Sequence, residues 1–255
     1  MANKCLIMLI LAAIVSGGVF AQTDFESVPK NTVVVDVGPT IAGLALGSMI
    51  STFAGEGVSS SGFGIGVQYE RQILRELSVA GRFAYMGVGF SMGDSFEDAG
   101  VTVKTELGLN LDTISAEAHA RFYPSGETFF LGGMLGFGTL SATFSGSFAA
   151  KDNNTGEHEK VDLSFTASRG YLKLGARIGW RISFGRQGGF TFEPSLGWDF
   201  AFGLGDTMGQ ALQKEVEKKT GEGVDMSAMD EMFYFLENLI FVGGPRLTLA
   251  FGWRF

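Results

Sequence analysis

The chain has 255 residues, of which 45% are hydrophobic and 18% charged, with 38 glycines and 24 phenylalanines. Its 27 acidic and 19 basic residues give a formal net charge of −8, which is the wrong sign for a protein that binds nucleic acid. A single cysteine, Cys5, excludes an internal disulfide framework.

The N-terminal segment has the features of a secretory signal peptide. Lys4 precedes an apolar run at residues 6–15, and Val19 and Ala21 occupy the two positions that signal peptidase reads. The apolar run is shorter than the roughly 20 residues that a membrane-spanning helix needs. We therefore predict a signal peptide at residues 1–21 and one domain at residues 22–255, which no longer contains Cys5.

Eight later segments alternate between apolar and polar residues with the period of two that is typical of β-strands. They are 32–46, 62–72, 77–90, 107–122, 128–149, 161–184, 190–204 and 245–255, and the inward face of 128–149 is ambiguous. No later stretch is long enough for a membrane helix, and only helices and closed barrels satisfy their own backbone hydrogen bonds in lipid. We therefore predict an all-β fold, an eight-stranded antiparallel transmembrane β-barrel surrounded by outer-membrane lipid.

The last strand ends the chain on an apolar and aromatic face formed by Leu249, Phe251, Trp253 and Phe255. This ending resembles the closing strand of bacterial outer-membrane β-barrels, and the resemblance implies that the barrel-assembly machinery reads these residues as an assembly signal. A soluble eight-stranded cup of the lipocalin type is the alternative, with its aromatic residues inside and its Arg and Glu residues outside.

The lengths of the connections predict the topology. Short connections at 73–76, 123–127 and 185–189 alternate with long ones at 49–61, 91–106, 150–160 and 205–244. Outer-membrane barrels have short periplasmic turns and longer extracellular loops, so we expect both termini in the periplasm. The fourth long loop is predicted to be partly helical, with charges at helical spacing in 206–220 and an apolar stripe in 225–240.

Ten charged residues face the lumen when each strand is read with one parity. They are Asp36, Glu70, Arg82, Glu117, Arg121, Arg177, Arg181, Glu193, Asp199 and Arg254. The interior of an eight-stranded barrel is just wide enough for side chains to fill it, and buried charges need partners. The cluster is therefore either an ion-selective constriction or a salt-bridged plug that stabilises the barrel.

The outer half of the lumen is apolar under the same parity. Its predicted lining is Met86, Val88, Phe90, Leu107, Leu109, Leu111, Leu163 and Phe165. An apolar chamber of this kind suits a small hydrophobic ligand. The alternatives are that these residues pack as a core above the membrane, or that a bulge reverses the parity.

Catalytic and metal-binding patterns are weak. Residues 89–93 match G-x-S-x-G, but this motif needs a strand-to-helix turn in an α/β fold. Neither His119 nor His158 has a metal-ligand partner at a recognisable spacing. We therefore predict no catalytic residues, no metal and no cofactor, and we do not expect an enzyme.

The predicted architecture resembles the small barrels OmpA (its membrane domain), OmpX and OmpW, and is most similar to OmpW, because of its apolar outer lumen above a narrow polar floor. The resemblance implies a passive channel or binding site for small hydrophobic molecules. The alternative is a structural or adhesin barrel with a plugged lumen, which acts through its outer loops.

Overall fold

The computed structural model describes residues 31–54, 58–98, 101–124, 128–152, 158–184, 189–220 and 244–255. Both the predicted signal peptide and the apolar stripe at 225–240 lie outside these residues. The elements are β1 (Asn31–Asp36), α1 (Gly38–Ala54), β2 (Val58–Leu74), β3 (Leu77–Asp98), β4 (Val101–Phe122), β5 (Phe129–Asp152), β6 (His158–Trp180), β7 (Ile182–Phe184), β8 (Gly189–Leu204), α2 (Met208–Thr220) and β9 (Gly244–Arg254).

The strands form one closed antiparallel ring. Each strand from β2 to β6 pairs with the strand before it, β6 pairs with β8, β8 with β9, and β9 with β1. The short strand β7 follows β6 after Arg181 and pairs with β8 as β6 does, so the two form one interrupted strand. The eight-stranded barrel predicted from the sequence is therefore confirmed.

The outer surface of the ring is apolar around the part that carries the short turns. Val67 on β2, Phe83 on β3 and Trp198 on β8 are each about half exposed, whereas their polar neighbours Gln68, Arg82 and Asp199 are buried inside. This distribution of faces suits lipid on the outside and is the reverse of a soluble cup. The ambiguous strand β5 places Phe130 and Leu140 inside and Leu131 outside.

The first predicted strand, 32–46, is wrong beyond Asp36. Strand β1 ends there, and the chain turns into α1. The Asp36 carboxylate accepts a hydrogen bond from the Gly38 backbone N–H at 2.8 Å, and Pro39 stands in the first turn, where its missing N–H costs nothing. Both features favour the start of a helix over the continuation of a strand.

Helix α1 packs on the inner face of β2. A Cβ atom built on Gly62 would overlap the backbone of Gly43, and Gly47 lies against Ser60. The Thr40 hydroxyl donates a hydrogen bond to the Gly64 carbonyl oxygen. Glycines on both elements thus allow a close helix–strand contact that larger side chains would prevent.

Two of the four predicted long outer gaps are wrong. Strands β3 and β4 stay paired up to Asp98 and Val101, and β5 and β6 up to Lys151 and His158. The strict alternation of short and long connections is therefore also wrong. The apolar outer face ends lower down the barrel. Above Phe90 most outward residues are polar and most inward residues are apolar, with Asp94 and Thr105 among the exceptions, and the ladder continues.

Strands β3, β4, β5 and β6 have 22, 22, 24 and 23 residues. A strand needs only about 9–11 residues to cross a bilayer. These four strands are therefore long enough to project well beyond a bilayer as a sheet. We call this part the projecting sheet and define it as residues 91–98, 101–108, 145–152 and 158–164. Within the described part of the chain, no helix is long and apolar enough to span a bilayer.

Candidate functional site: the filled lumen

The lumen near the short turns contains a balanced set of ion pairs, which we call the lower tier: Glu70, Glu193, Arg121 and Arg181. Arg121 Nη1 contacts Glu70 Oε2 at 2.6 Å and Glu193 Oε2 at 2.8 Å. Arg181 contacts Glu70 Oε1 at 2.6 Å and Glu193 Oε1 at 2.5 Å. Two carboxylates thus share two guanidinium groups in a closed square.

Aromatic side chains enclose the lower tier. The Tyr123 hydroxyl donates a hydrogen bond to Glu70 Oε1 at 2.9 Å. The Arg121 guanidinium lies 4.5 Å from the centre of the Phe130 ring, and the Arg181 guanidinium lies 5.1 Å from the Tyr123 ring. Ring faces attract cations, so these rings stabilise the buried arginines as well as exclude water.

A second charged layer, which we call the upper tier, lies above the first and comprises Asp36, Glu117, Asp199, Arg82, Lys173, Arg177 and Arg246. Arg82 joins Asp36 at 2.6 Å to Glu117 at 2.8 Å. Glu117 also contacts Lys173 at 3.1 Å, Arg246 at 3.2 Å and Arg177 at 3.5 Å. One carboxylate with a fully buried side chain therefore touches four cations.

All ten predicted lumen charges are buried in the barrel interior, and nine of them belong to the two tiers. The tenth, Arg254, donates a hydrogen bond to Gln72 Oε1 at 2.8 Å. The side chains of Glu117, Arg82 and Glu70 are at most 2% exposed. Charged side chains packed to this degree fill most of the described lumen at the level of the two tiers.

Above the upper tier the lumen is apolar, and α2 fills it. Met208, Leu212 and Val216 of α2 are buried against inward-facing residues of β3, β4, β5 and β6, among them Leu140 and Tyr171. Of the predicted chamber residues, Val88, Phe90 and Leu111 are buried in this cluster, and Met86, Leu109 and Phe165 pack against it. Leu107 is partly buried, and Leu163 is exposed at the rim.

Helix α1 contributes to the same interior. Leu46 packs against the apolar cluster around α2. On the other side of the helix, Ile41 and Leu44 are exposed. The outer lumen therefore holds two helices, one against β2 and one against β6, at the residues for which the sequence analysis left a ligand chamber and a packed core as alternatives.

The predicted assembly signal lies on the outer face of the last strand. Phe251, Trp253 and Phe255 are exposed, and Leu249 is partly buried. The backbone of Phe255 exchanges two hydrogen bonds of 2.9 Å with Asn31, so the last residue is paired with the first strand. The terminal aromatic residues therefore stand beside the strand that closes the ring.

Sequence reasoning missed two cations of the upper tier and the residues that fill the chamber. Lys173 has the same parity as Arg177 on β6, and Arg246 the same parity as Arg254 on β9, so strict alternation would have found both. Met208, Leu212 and Val216 recur at intervals of four, which is the spacing of one helix face.

The histidines offer no metal site within the described residues. His119 Nε2 lies 3.1 Å from Glu117 Oε2 inside the barrel. The described part of the chain contains no group of three or more potential metal ligands. The side chain of His158 is outside what the structure describes.

The structure thus combines a closed eight-stranded ring with an apolar outer surface and a charged interior. The chain forms a small eight-stranded antiparallel β-barrel with the apolar outer face that is typical of a membrane-spanning barrel. A scan of protein-family models and a search of curated proteins found no match.

Solved structures of similar fold include that of Ail, the attachment invasion locus protein of Yersinia pestis, in complex with the heparin analogue sucrose octasulfate. It is 14% identical, with a TM-score of 0.38, and the match covers 89% of this chain and 98% of Ail. Acinetobacter baumannii CarO2 is 12% identical, with a TM-score of 0.38 and coverage of 90% of this chain and 100% of CarO2. At these values the likeness gives no information on function, and the resemblance to OmpW in particular stays a prediction.

Proposed function

We propose that this protein is an outer-membrane barrel with a plugged lumen, which acts at the cell surface as a structural or adhesin barrel. The observation that carries the proposal is the filling of the lumen at two levels. Two charged tiers fill the lower half of the described lumen, and the apolar side of α2 fills the outer half.

The energetics favour a plug over a pore. Taking one partner from a buried ion pair costs about 3–5 kcal/mol, because the other charge is left without compensation. An ion that crossed this lumen would have to separate Arg121 from Glu70 and Arg82 from Glu117 in turn. Conduction therefore requires several buried pairs to break, and the resting barrel is proposed to be closed.

The projecting sheet supplies the surface that we propose acts outside the membrane. Directly below the projecting sheet, the outer face of β5 and β6 has a row of paired hydroxyl groups. Ser141 meets Ser168 at 2.9 Å, and Thr143 meets Thr166 at 3.1 Å. The outer face of the projecting sheet continues this polar row. Exposed strands with a polar face suit contact with another hydrated surface more than contact with lipid. In this proposal both termini lie in the periplasm and the projecting sheet lies outside the cell.

The experiment compares the full mature barrel with a trimmed form. Residues 92–107 and 146–163 are each replaced by a two-residue turn, which cuts all four strands at the row where Ser91 faces Gly108 and Ser145 faces Ser164. The trimmed barrel should keep its heat-modifiable mobility and surface level, while bacteria that produce it lose attachment to a cell layer. Wild-type liposomes should not swell in arabinose. Swelling of those liposomes, or unchanged attachment of the trimmed form, would contradict the proposal.

A second candidate is a passive channel or binding site for small hydrophobic molecules. The observation in its favour is the apolar lining, with Val88, Phe90 and Leu111 around α2. This function requires α2 to leave the lumen. Leu109→Arg and Met86→Asp place a charge in that lining, with the outward-facing Phe83→Arg as the control. Uptake of a hydrophobic dye that both lumen variants abolish, in barrels that still fold, would favour the channel.

A further inference from the structure

The upper tier has more positive than negative charge. Among the described residues it contains three carboxylates, Asp36, Glu117 and Asp199, and four cations, Arg82, Lys173, Arg177 and Arg246. The lower tier, by contrast, pairs two carboxylates with two cations. A buried charge without compensation is costly, so the surplus of one positive charge needs a partner from outside the tier.

The surplus is concentrated around Lys173, Arg246 and Arg177. Lys173 Nζ and Arg246 Nη1 approach the same two oxygens, Glu117 Oε1 at 3.1 and 3.2 Å and Asp199 Oδ2 at 3.0 and 2.8 Å. The third cation, Arg177, is farther away, at 3.5 Å from Glu117 and 3.8 Å from Asp199. Its side chain is 3% exposed, and its Nε and Nη1 atoms have no hydrogen-bond partner among the described residues. Three cations therefore share two carboxylates, and donors remain unused.

Solvent reaches the tier at this point. The side chains of Lys173 and Arg246 are 15% and 17% exposed, and that of Asp199 is 10% exposed. Arg82 and Glu117, in the same tier, are at most 1% exposed. The surplus cations are thus the more exposed part of the tier, and a small solute can contact them more easily than it can contact Arg82 or Glu117.

We propose that Lys173 and Arg246, with Arg177 behind them, bind a small oxyanion such as a carboxylate or a phosphate. An oxyanion presents two or more oxygens, which match the planar fork of a guanidinium group better than a halide does. Because the apolar residues around α2 lie directly above, the anion is either free or the head group of an amphipathic molecule. This inference is independent of the proposed surface function, since it concerns the lumen.

The test is isothermal titration calorimetry on the mature barrel refolded in zwitterionic detergent at low chloride. The probes are sodium phosphate, sodium acetate, sodium octanoate and sodium chloride. Phosphate or a carboxylate should bind wild type with a stoichiometry of one. Lys173→Met and Arg246→Met should each weaken binding by about tenfold or more, as expected for the loss of one charge-assisted hydrogen bond. The matched control is Lys160→Met, which removes a 62% exposed lysine of the same strand and should leave binding unchanged.

Tighter binding of octanoate than of acetate would identify an amphipathic ligand, and equal affinities a free anion. Chloride binding as tight as phosphate binding would overturn the assignment to an oxyanion. Failure of all four probes to bind, or binding that survives Lys173→Met and Arg246→Met, would overturn the site itself. Arg177→Met provides a third variant if either of the first two does not refold, and the same weakening is expected.

Discussion

Glu117→Gln is the substitution that most severely tests the charged tiers. Glutamine keeps the shape of glutamate, so no cavity forms, but the shared carboxylate of Arg82, Lys173, Arg177 and Arg246 loses its charge. The upper tier would change from four cations and three anions to four cations and two anions. Breaking one buried pair costs about 3–5 kcal/mol, and here four cations lose a partner, so we expect a loss at the upper end of that range.

The assay is urea unfolding of the barrel in phospholipid vesicles, followed by tryptophan fluorescence. Trp180, Trp198 and Trp253 all lie exposed on the outer face, so their emission reports transfer from lipid to water. Asp162→Asn is the control, because its pair with Lys160 is 63% exposed and should contribute less than about 1 kcal/mol. Adding Lys173→Met to Glu117→Gln should recover part of the loss. A loss below about 1 kcal/mol for Glu117→Gln, or strict additivity of the two changes, would refute the reasoning.

Three further substitutions test other parts of the structure. Gly62→Val should lower the free energy of unfolding by about 1–3 kcal/mol through overpacking, because the new Cβ overlaps the backbone of Gly43. The control is Gly133→Val, whose Cβ has no neighbour within 4 Å. Equal stability of the two variants would argue against the packing of α1 on β2. Leu212→Ala should cost about 2–5 kcal/mol in the same unfolding assay, because the side chain is fully buried, and an unchanged midpoint would mean that α2 does not pack in the lumen. Deletion of Phe255 should lower the fraction of heat-modifiable barrel in cells while export continues, and normal assembly would remove the predicted signal.

The sequence was informative where a side chain faces either lipid or a packed lumen. Alternation on 190–204 or 107–122 reflects two environments that differ strongly, and it placed Glu117 and Glu193 inside. The same rule applied fully would have included Lys173 and Arg246. What alternation cannot provide is the pairing of these charges, because Arg121 on β4 meets Glu70 on β2 and Glu193 on β8, and neither strand is a neighbour of β4.

The errors arose where local pattern and distant contacts disagree. Residues 38–46 are uncharged and apolar on both faces, so period two and period 3.6 fit them about equally well. The helix is favoured by its close approach to Gly62 and Gly64, and no local pattern reveals this contact. Gly38-Pro39 and the spacing of Gly43 and Gly47 are compatible with a helix but do not require one. The prediction of a loop at 91–106 is wrong because the apolar outer face ends where the strands leave the lipid, while the pairing of β3 with β4 continues to Asp98 and Val101.

The most direct test of the plugged lumen is the electrical conductance of the full mature barrel in a planar bilayer. With both tiers paired and α2 in place, the wild-type barrel should insert without producing steady current steps in molar potassium chloride. Leu212→Asp places a charge in the apolar cluster around α2, and Arg121→Met removes a cation from the lower tier. The two changes together should produce steps in barrels that remain folded. Reproducible steps from wild type, at a frequency that follows the amount of folded protein, would contradict the account.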